Sequence, residues 1–169
     1  QKLKSVASTY VSLDVIKKLC ESRNLEAQDF LKTYLSGCTD IVQISYLTKH
    51  IGVFFPSEEN LHFLMPFLRH EDDRVVANTI EGIEATGSPK GLVVISLLLN
   101  HKCNRVRTNA ALALKKFDPE TSSAVVSKML APESGAHFRI SACHAIKVLR
   151  DARFLDQLET ALLNETTFS

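Results

Sequence analysis

The sequence predicts an all-α fold, a right-handed α-solenoid of stacked antiparallel helix pairs. Residues 105–120 (RVRTNAALALKKFDPE) have counterparts 31 residues earlier, at 74–89, and 32 residues later, at 137–152. Within each copy, apolar residues recur at helical spacing, and capping residues and prolines punctuate the copies. A repeat of this length with two helices indicates a solenoid, because each unit buries its apolar face only against its neighbours. No alternating β pattern extends over a useful length.

The second helix of each repeat carries an apolar stripe with the spacing i, i+4, i+7, i+8. Its members in the three copies are Val75, Thr79, Gly82 and Ile83, then Val106, Ala110, Ala113 and Leu114, then Phe138, Ala142, Ala145 and Ile146. Small residues occupy the middle of each stripe. Because small side chains allow a neighbouring helix to approach closely, we expect these second helices to pack against one another.

The first helix of each repeat carries a simpler stripe with the spacing i, i+3, i+7. Its members are Leu61, Leu64 and Leu68, then Leu92, Ile95 and Leu99, then Ser123, Val126 and Leu130, then Leu155, Leu158 and Leu162. These positions lie on one face of an α-helix. We therefore expect each set to form one apolar face.

Helix starts and stops recur with the same period. The candidate N-caps are Ser57, Ser88, Asp118 and Asp151 for the first helices, and Asp73 and Asn104 for the second helices. Proline follows Ser88 and Asp118, at the first helical position. Gly87 is a candidate helix stop, and Pro66 should kink the helix that contains it or fray its last turn.

These signals divide the chain into three parts. Residues 1–56 form N-terminal helices, including one over 3–20 and a degenerate helix pair followed by Gly37 and Gly52, and they cap the stack. Residues 164–169 form a C-terminal tail. The repeat array between them spans 57–163, with units at about 57–87, 88–117 and 118–150 and a partial unit at 151–163.

Composition limits the classes of function. The apolar content of 45% and charged content of 23% are typical of a globular protein, and the net charge of +1 argues against a chain attracted as a whole to phosphate backbones. No apolar run reaches the roughly 18–20 residues of a membrane span, and the N-terminal residues lack a signal-peptide pattern. The four cysteines form no CxxC motif, which favours reduced thiols. We expect a cytoplasmic monomer with no membrane association.

The repeated string resembles HEAT repeats, in particular the short-period subclass found in phycobilin lyases. The unit at 88–117 matches the pattern D-x-x-V-R-x-x-A-A-x-A-L-G at Asn104, Val106, Arg107, Ala110, Ala111, Ala113 and Leu114. The unit before it matches at Asp73, Val75 and Gly87, and the unit after it departs with Phe138 and Cys143. The resemblance covers residues 57–163, and 24–52 more weakly. It implies a helical superhelix that serves as a scaffold, adaptor, lyase or DNA-binding protein, and fold alone does not choose among them.

The distribution of charge supplies the candidate site. Residues 101–117 contain five lysines and arginines and no acid, whereas the preceding unit is acidic. Five side chains of the second helices would form a basic, concave groove for an acidic segment of a partner protein: Arg105, Arg107, Lys115, Arg139 and Lys147. The alternative is a set of solvated faces joined by salt bridges, each of which contributes little. Asn78, Asn109 and Ser141 align at one edge, as a hydrogen-bonded ladder or as a peptide-recognition strip.

The sequence predicts no catalytic residue, no metal site and no cofactor. His70-Glu71 is the only His-Glu pair, and His70 and His101 occupy equivalent loops in which we expect solvated side chains. No nucleophile motif or phosphate-binding glycine loop is present. The predicted function is therefore a non-catalytic scaffold or adaptor for a protein partner. Two alternatives stay open, a bilin lyase or isomerase that handles a tetrapyrrole on a carrier protein, and a weak nucleic-acid-binding module, although we do not expect nucleic acid to bind tightly.

Overall fold

The computed structural model describes residues 11–164, and within that range it contains α-helices, two 3₁₀ turns and no strand. The 3₁₀ turns are Met65–Arg69 and Ala152–Phe154. The helices are α1 (Leu13–Glu21), α2 (Leu25–Gly37), α3 (Ile41–Phe54), α4 (Glu58–Leu64), α5 (Asp73–Ala85), α6 (Pro89–Ser96), α7 (Asn104–Leu114), α8 (Pro119–Leu130), α9 (Gly135–Leu149) and α10 (Leu155–Asn164). The predicted all-α class is confirmed. The predicted N-terminal helix over 3–20 begins outside the described residues. The predicted tail, 164–169, lies outside them except for its first residue.

The helices form two compact units, divided between Val93 and Val94 within α6. In the first unit, α1 and α2 pack with α3, while α4 and the 3₁₀ turn after it pack against α5. The most extensive contact in that unit is between α3 and α5. In the second unit, α7, α8 and α9 pack against one another, and α10 lies against α8. The buried hydroxyl of Ser122 on α8 donates a 2.7 Å hydrogen bond to the carbonyl oxygen of Ala111 on α7.

The second-helix stripes are buried as predicted, apart from Phe138. Val75, Thr79, Val106 and Ala110 have no exposed surface, and the remaining members are also buried. Phe138 is half-buried. Isolated helices of this length would be marginally stable. The burial of one apolar stripe therefore stabilises each of these amphipathic helices.

Two glycines set the close approach of α3 and α5. A Cβ atom added to Gly52 would lie 2.8 Å from the Cα of Gly82, and a Cβ added to Gly82 would lie 3.2 Å from the Cα of Lys49 and closer still to the carbonyl oxygen of Thr48. The predicted role of Gly82 as a small residue at a helix crossing is confirmed. The interpretation of Gly52 as the residue after a helix is wrong, because α3 continues through it to Phe54.

The predicted caps are partly confirmed. Ser57 and Asp118 accept hydrogen bonds from the backbone N–H groups of Asn60 and Thr121, at 3.1 and 2.9 Å, and Asp151 caps the second 3₁₀ turn. Ser88 precedes α6, and its hydroxyl donates to Glu58 Oε1 at 2.7 Å. The N-caps of the second helices differ from those predicted.

The cap of α5 is Asp72 rather than Asp73, and its carboxylate accepts from the N–H of Arg74 at 2.8 Å. Asn104 is the first residue of α7, not its cap, because its side chain reaches another helix. Gly87, with φ of +71°, follows the end of α5 as expected for a helix stop. Pro66 lies where α4 gives way to the 3₁₀ turn, so the helix changes type in its last turn, as the alternative of a frayed end predicts.

The first-helix stripes are buried in three of the four sets. In α4 and its 3₁₀ turn, in α6 and the turn after it, and in α8, every leucine, isoleucine and valine of the stripe is at most 9% exposed. The fourth set, on α10, departs from the prediction, since Leu155 is 61% and Leu162 71% exposed.

Candidate functional site

The five basic residues predicted to form a groove all belong to the second unit. Arg105 and Arg107 lie on α7, Lys115 is the residue that caps its C-terminus, and Arg139 and Lys147 lie on α9. Both helices turn their alanine-containing stripes into the core. Because the stripe occupies one face, the basic side chains project from the remaining surface of each helix.

Asn104 joins α7 to α9 at their N-terminal ends. Its Nδ2 donates to the carbonyl oxygen of His137 at 3.1 Å and to Ser141 Oγ at 2.6 Å. The first unit contains a similar bridge, in which Asn78 Nδ2 of α5 donates to the carbonyl oxygen and hydroxyl of Ser45 on α3 at 3.0 and 2.8 Å. The ladder interpretation is therefore confirmed at Asn78. Its extension from Asn109 to Ser141 is corrected, since Ser141 accepts its hydrogen bond from Asn104.

The guanidinium group of Arg107 makes its contacts inside the second unit. Its Nε and Nη2 donate to the carbonyl oxygen of His101 at 3.0 and 2.8 Å. The same group lies over the ring of Phe138, with its central carbon 4.5 Å from the ring centroid. This cation–π contact explains why Phe138 is half-buried rather than part of the dry core. Arg107 therefore fixes α9 and the loop before α7 in place.

The other four basic residues are placed differently. Arg139 is half-buried, and its Nη1 donates to the carbonyl oxygen of Pro132 at 3.1 Å. Arg105 and Lys147 are exposed, and Lys115 is half-buried. Among residues 11–164, neither Lys115 nor Lys147 has an ion-pair partner. Both lie at the C-terminal end of a helix, where the helix dipole favours a positive charge.

Exposed apolar side chains accompany these cations on α9. Ile140 is 68% and Val148 40% exposed, and both share an exposed face with His144 and Lys147 at the spacing i, i+4, i+7, i+8. The sequence pattern indicated Lys147 but not Ile140 or Val148. The available signal was that both apolar residues fall out of phase with the buried stripe of α9.

The electrostatic character of α7 and α9 follows from their composition, since neither helix contains an acidic residue. Several acids of the second unit lie elsewhere. Arg153 pairs with Glu120 at 2.9 Å and with Asp151 at 2.7 Å, and its hydrogen bonds hold the pKa of Asp151 below the ordinary value. In the first unit, by contrast, Lys49 of α3 pairs with Glu81 of α5 at 2.6 Å. The second unit thus concentrates positive charge on two helices.

The loop histidines act within their own loops. His70 Nδ1 accepts a hydrogen bond from the backbone N–H of Asp72 at 3.0 Å, and His101 Nδ1 accepts one from the N–H of Cys103 at 3.1 Å. Both side chains are half-buried. The same local turn recurs before α5 and α7, and its function is to order the loop that starts each second helix.

No group of three or more histidine, cysteine or acidic residues could hold a metal ion within residues 11–164. All four cysteines are free thiols, and burial raises the pKa of Cys20 to about 11, with smaller contributions from neighbouring groups. A cavity of about 320 Å³ lies between α8 and α10. Its lining contains one carboxylate and no histidine, lysine or arginine: Ser127, Leu130, Ala131, Pro132, Asp156, Gln157, Thr160 and Ala161. In the described part of the chain, no helix has the length and apolarity to cross a membrane.

Comparison with known proteins identifies a family of repeat proteins to which the sequence is similar. A model of HEAT repeats matches residues 61–147, just over half of the chain. A search of curated proteins and a search of solved structures each gave no significant match. The match agrees with the paired helices of the two units, so the predicted α-solenoid class is confirmed. The right-handed sense of the superhelix stays a prediction.

Proposed function

Because the chain belongs to the HEAT-repeat family, we propose that it is a non-catalytic scaffold or adaptor that binds an acidic segment of a partner protein. HEAT repeats commonly serve as surfaces for protein–protein interaction. Stacked helix pairs suit this task because they present long, rigid rows of side chains to a partner. The proposed binding surface is the exposed face of α7 and α9, with a cytoplasmic monomer as the binding form.

The observation that carries the proposal is that two lysines, one on each helix, have no ion-pair partner among the described residues and that one of them lies beside exposed apolar side chains. Lys115 and Lys147 have no ion pair among the described residues, and α9 places Ile140 and Val148 next to Lys147. A solvated charge with no partner contributes little to folding. An interface combines an apolar core that excludes water with a polar rim, and cations in that rim would select an acidic partner.

The five predicted residues take two roles in this proposal. Lys115, Lys147 and Arg105 contact the acidic segment directly, and the two lysines set the rate of encounter through long-range attraction. Arg107 and Arg139 act as positioning residues, because their guanidinium groups already bond to the carbonyl oxygens of His101 and Pro132.

The test is affinity capture from the source cell with matched charge-reversal variants. The site variant is Lys115→Glu/Lys147→Glu, and the control is Lys102→Glu/Lys128→Glu, which makes the same change of charge at two exposed lysines of the same unit outside α7 and α9. Circular dichroism checks that both variants fold. We expect the wild type and the control to capture a partner protein that salt elutes. The site variant should capture at least about tenfold less of it.

Equal retention by the two variants would contradict the assignment of the surface. The captured material also separates the alternatives. Nucleic acid in place of protein, with binding that falls steeply as salt rises, would favour the nucleic-acid module. A change in visible absorbance on adding a bilin would favour the lyase.

A further inference from the structure

The cavity between α8 and α10 plays no part in the binding surface proposed above. Its volume of about 320 Å³ lies at the lower end of the range for sites that bind small molecules. One wall comes from residues between 127 and 132, at the end of α8 and just after it, and the other from residues 156–161 of α10. Several of the lining residues are exposed, so the cavity is a cleft that a ligand reaches without movement of either helix.

The apolar part of the cleft is aliphatic. Leu130 is 3% exposed, Ala131 and Ala161 are half-buried, and Pro132 adds its ring at the exposed edge. None of the described residues that line the cleft is aromatic. The lining therefore offers no ring to stack on a flat ligand or to hold a cation through a cation–π contact, and it fits a hydrocarbon chain.

Most of the polar groups in the cleft lie on α10. Asp156 supplies the only charge in the described lining, and among residues 11–164 it has no ion-pair partner. The hydroxyl of Thr160 donates to the carbonyl oxygen of Asp156 at 2.8 Å, so toward a further group its oxygen acts as an acceptor. Gln157 adds an amide oxygen. Arg139 donates to the carbonyl oxygen of Pro132 but does not line the cleft.

These groups select a cation that carries its own apolar part. A single carboxylate supplies too few protein ligands for a zinc or calcium ion. A primary ammonium group has three N–H donors and no acceptor, which suits the oxygens of Asp156, Gln157 and Thr160. We propose that the cleft binds a small aliphatic primary amine, with its ammonium group against Asp156 and its hydrocarbon chain against Leu130 and Ala161.

This proposal does not depend on the acidic segment proposed above. The site lies between α8 and α10 rather than on α7 and α9, and its ligand is a small cation rather than an acidic protein. The variants below change neither Lys115 nor Lys147, so either proposal can fail while the other stands.

The test is a titration of the full 169-residue chain with hexylamine hydrochloride, followed through the ¹H–¹⁵N chemical shifts of the backbone amides. We expect saturable shifts at residues 127–131 and 156–161. Hexan-1-ol, which has the same chain without the charge, should bind about fivefold more weakly, the upper limit for a solvent-accessible ion pair. Butylamine should bind up to about fifteenfold more weakly, because it lacks two methylene groups and each buried one contributes a factor of about four.

Three variants test the position of the ligand. Asp156→Asn should weaken the binding of hexylamine by about fivefold. The matched control is Glu159→Gln, which makes the same change of charge at an exposed position of α10 outside the lining, and at physiological salt it should weaken binding by less than about twofold. Ala161→Leu fills the cleft and should abolish the saturable shifts, with circular dichroism to check that the variant folds.

Equal affinity for hexylamine and hexan-1-ol, or equal effects of Asp156→Asn and Glu159→Gln, would overturn the proposal. Shifts that do not saturate would overturn it as well, because they indicate weak attraction to exposed carboxylates in general. Nα-acetyl-lysine N-methylamide tests the kind of ligand, since it carries the chain and ammonium group of butylamine on a peptide backbone. Tighter binding of this compound than of butylamine would assign the cleft to a lysine side chain of another protein, and would overturn the assignment to a free amine.

Discussion

Replacement of Gly82 by alanine should separate α3 from α5 and destabilise the first unit. The added Cβ would lie 3.1 Å from the carbonyl oxygen and 3.2 Å from the Cα of Lys49, and nearer to the carbonyl oxygen of Thr48. All of these atoms belong to the backbone of α3. Since a helix backbone cannot rotate away as a side chain can, the clash is relieved only if the two helices move apart.

The expected magnitude combines two opposing effects. Overpacking of a well-packed core costs about 1–3 kcal/mol, and a clash with backbone belongs at the upper end of that range. Alanine is better than glycine inside a helix by about 1 kcal/mol, and Gly82 lies within α5, so part of the cost is offset. We therefore expect the free energy of unfolding to fall by about 2 kcal/mol.

The assay is urea unfolding followed by circular dichroism at 222 nm, a wavelength that reports helix content, with hydrogen exchange to assign the loss to the first unit. A loss of about 2 kcal/mol lowers the midpoint by about 1 M urea when m is about 2 kcal/mol/M. The matched control is Gly91→Ala. The added Cβ there meets the Cγ2 of Ile83 at 2.6 Å and the Cδ1 of Leu61 at 3.2 Å, which are side-chain atoms of buried residues rather than backbone atoms.

We expect Gly91→Ala to lower the free energy of unfolding by less than Gly82→Ala does, because buried side chains can shift by a few tenths of an ångström where a helix backbone cannot. If Gly82→Ala unfolds at the same urea concentration as the wild type, or if the control is the more damaging change, the reasoning about backbone contact is refuted.

Three further predictions concern pH, thiol chemistry and the bridge between α7 and α9. Burial lowers the pKa of His50, so the imidazole binds a proton at higher pH in the unfolded chain than in the folded protein. The free energy of unfolding should therefore fall as the pH drops below about 6.5, and it should fall less in His50→Gln. Equal pH profiles of the two proteins in urea titrations would contradict this. Iodoacetamide at pH 8 should modify the exposed Cys143 in the native protein and the buried Cys20, whose pKa is raised to about 11, only after unfolding, and peptide mass spectrometry reads both rates. Asn104→Ala removes two hydrogen bonds to α9 and should cost about 1–2 kcal/mol in thermal unfolding, whereas Ser141→Ala, which removes one of their acceptors, should cost less.

The candidate site shows where reasoning from sequence stopped. The absence of acids from α7 and α9 is visible in the sequence, and it led to five basic residues. Only the structure distinguishes Arg107, whose donors bond to the carbonyl oxygen of His101, from Lys147, which has no ion-pair partner among the described residues. The exposure of Ile140 and Val148 became visible only in the structure, because it depends on which face of α9 is buried. Their part in binding, like that of the five basic residues, stays a prediction.

Local patterns determined the helices, their period and their buried faces. Apolar spacing and capping are properties of neighbouring residues, so Val106 and Ala110 could be assigned to the core before any coordinates. The division at residues 56 and 163 rests on the same kind of signal and stays a prediction. Tertiary structure decided what depends on distant residues. Gly52 ends no helix because it meets Gly82, and Asn104 reaches α9 instead of capping α7. In the stripe of α10, Leu155 and Leu162 are exposed and Leu158 is half-buried, since sequence spacing specifies a face without supplying the surface that covers it.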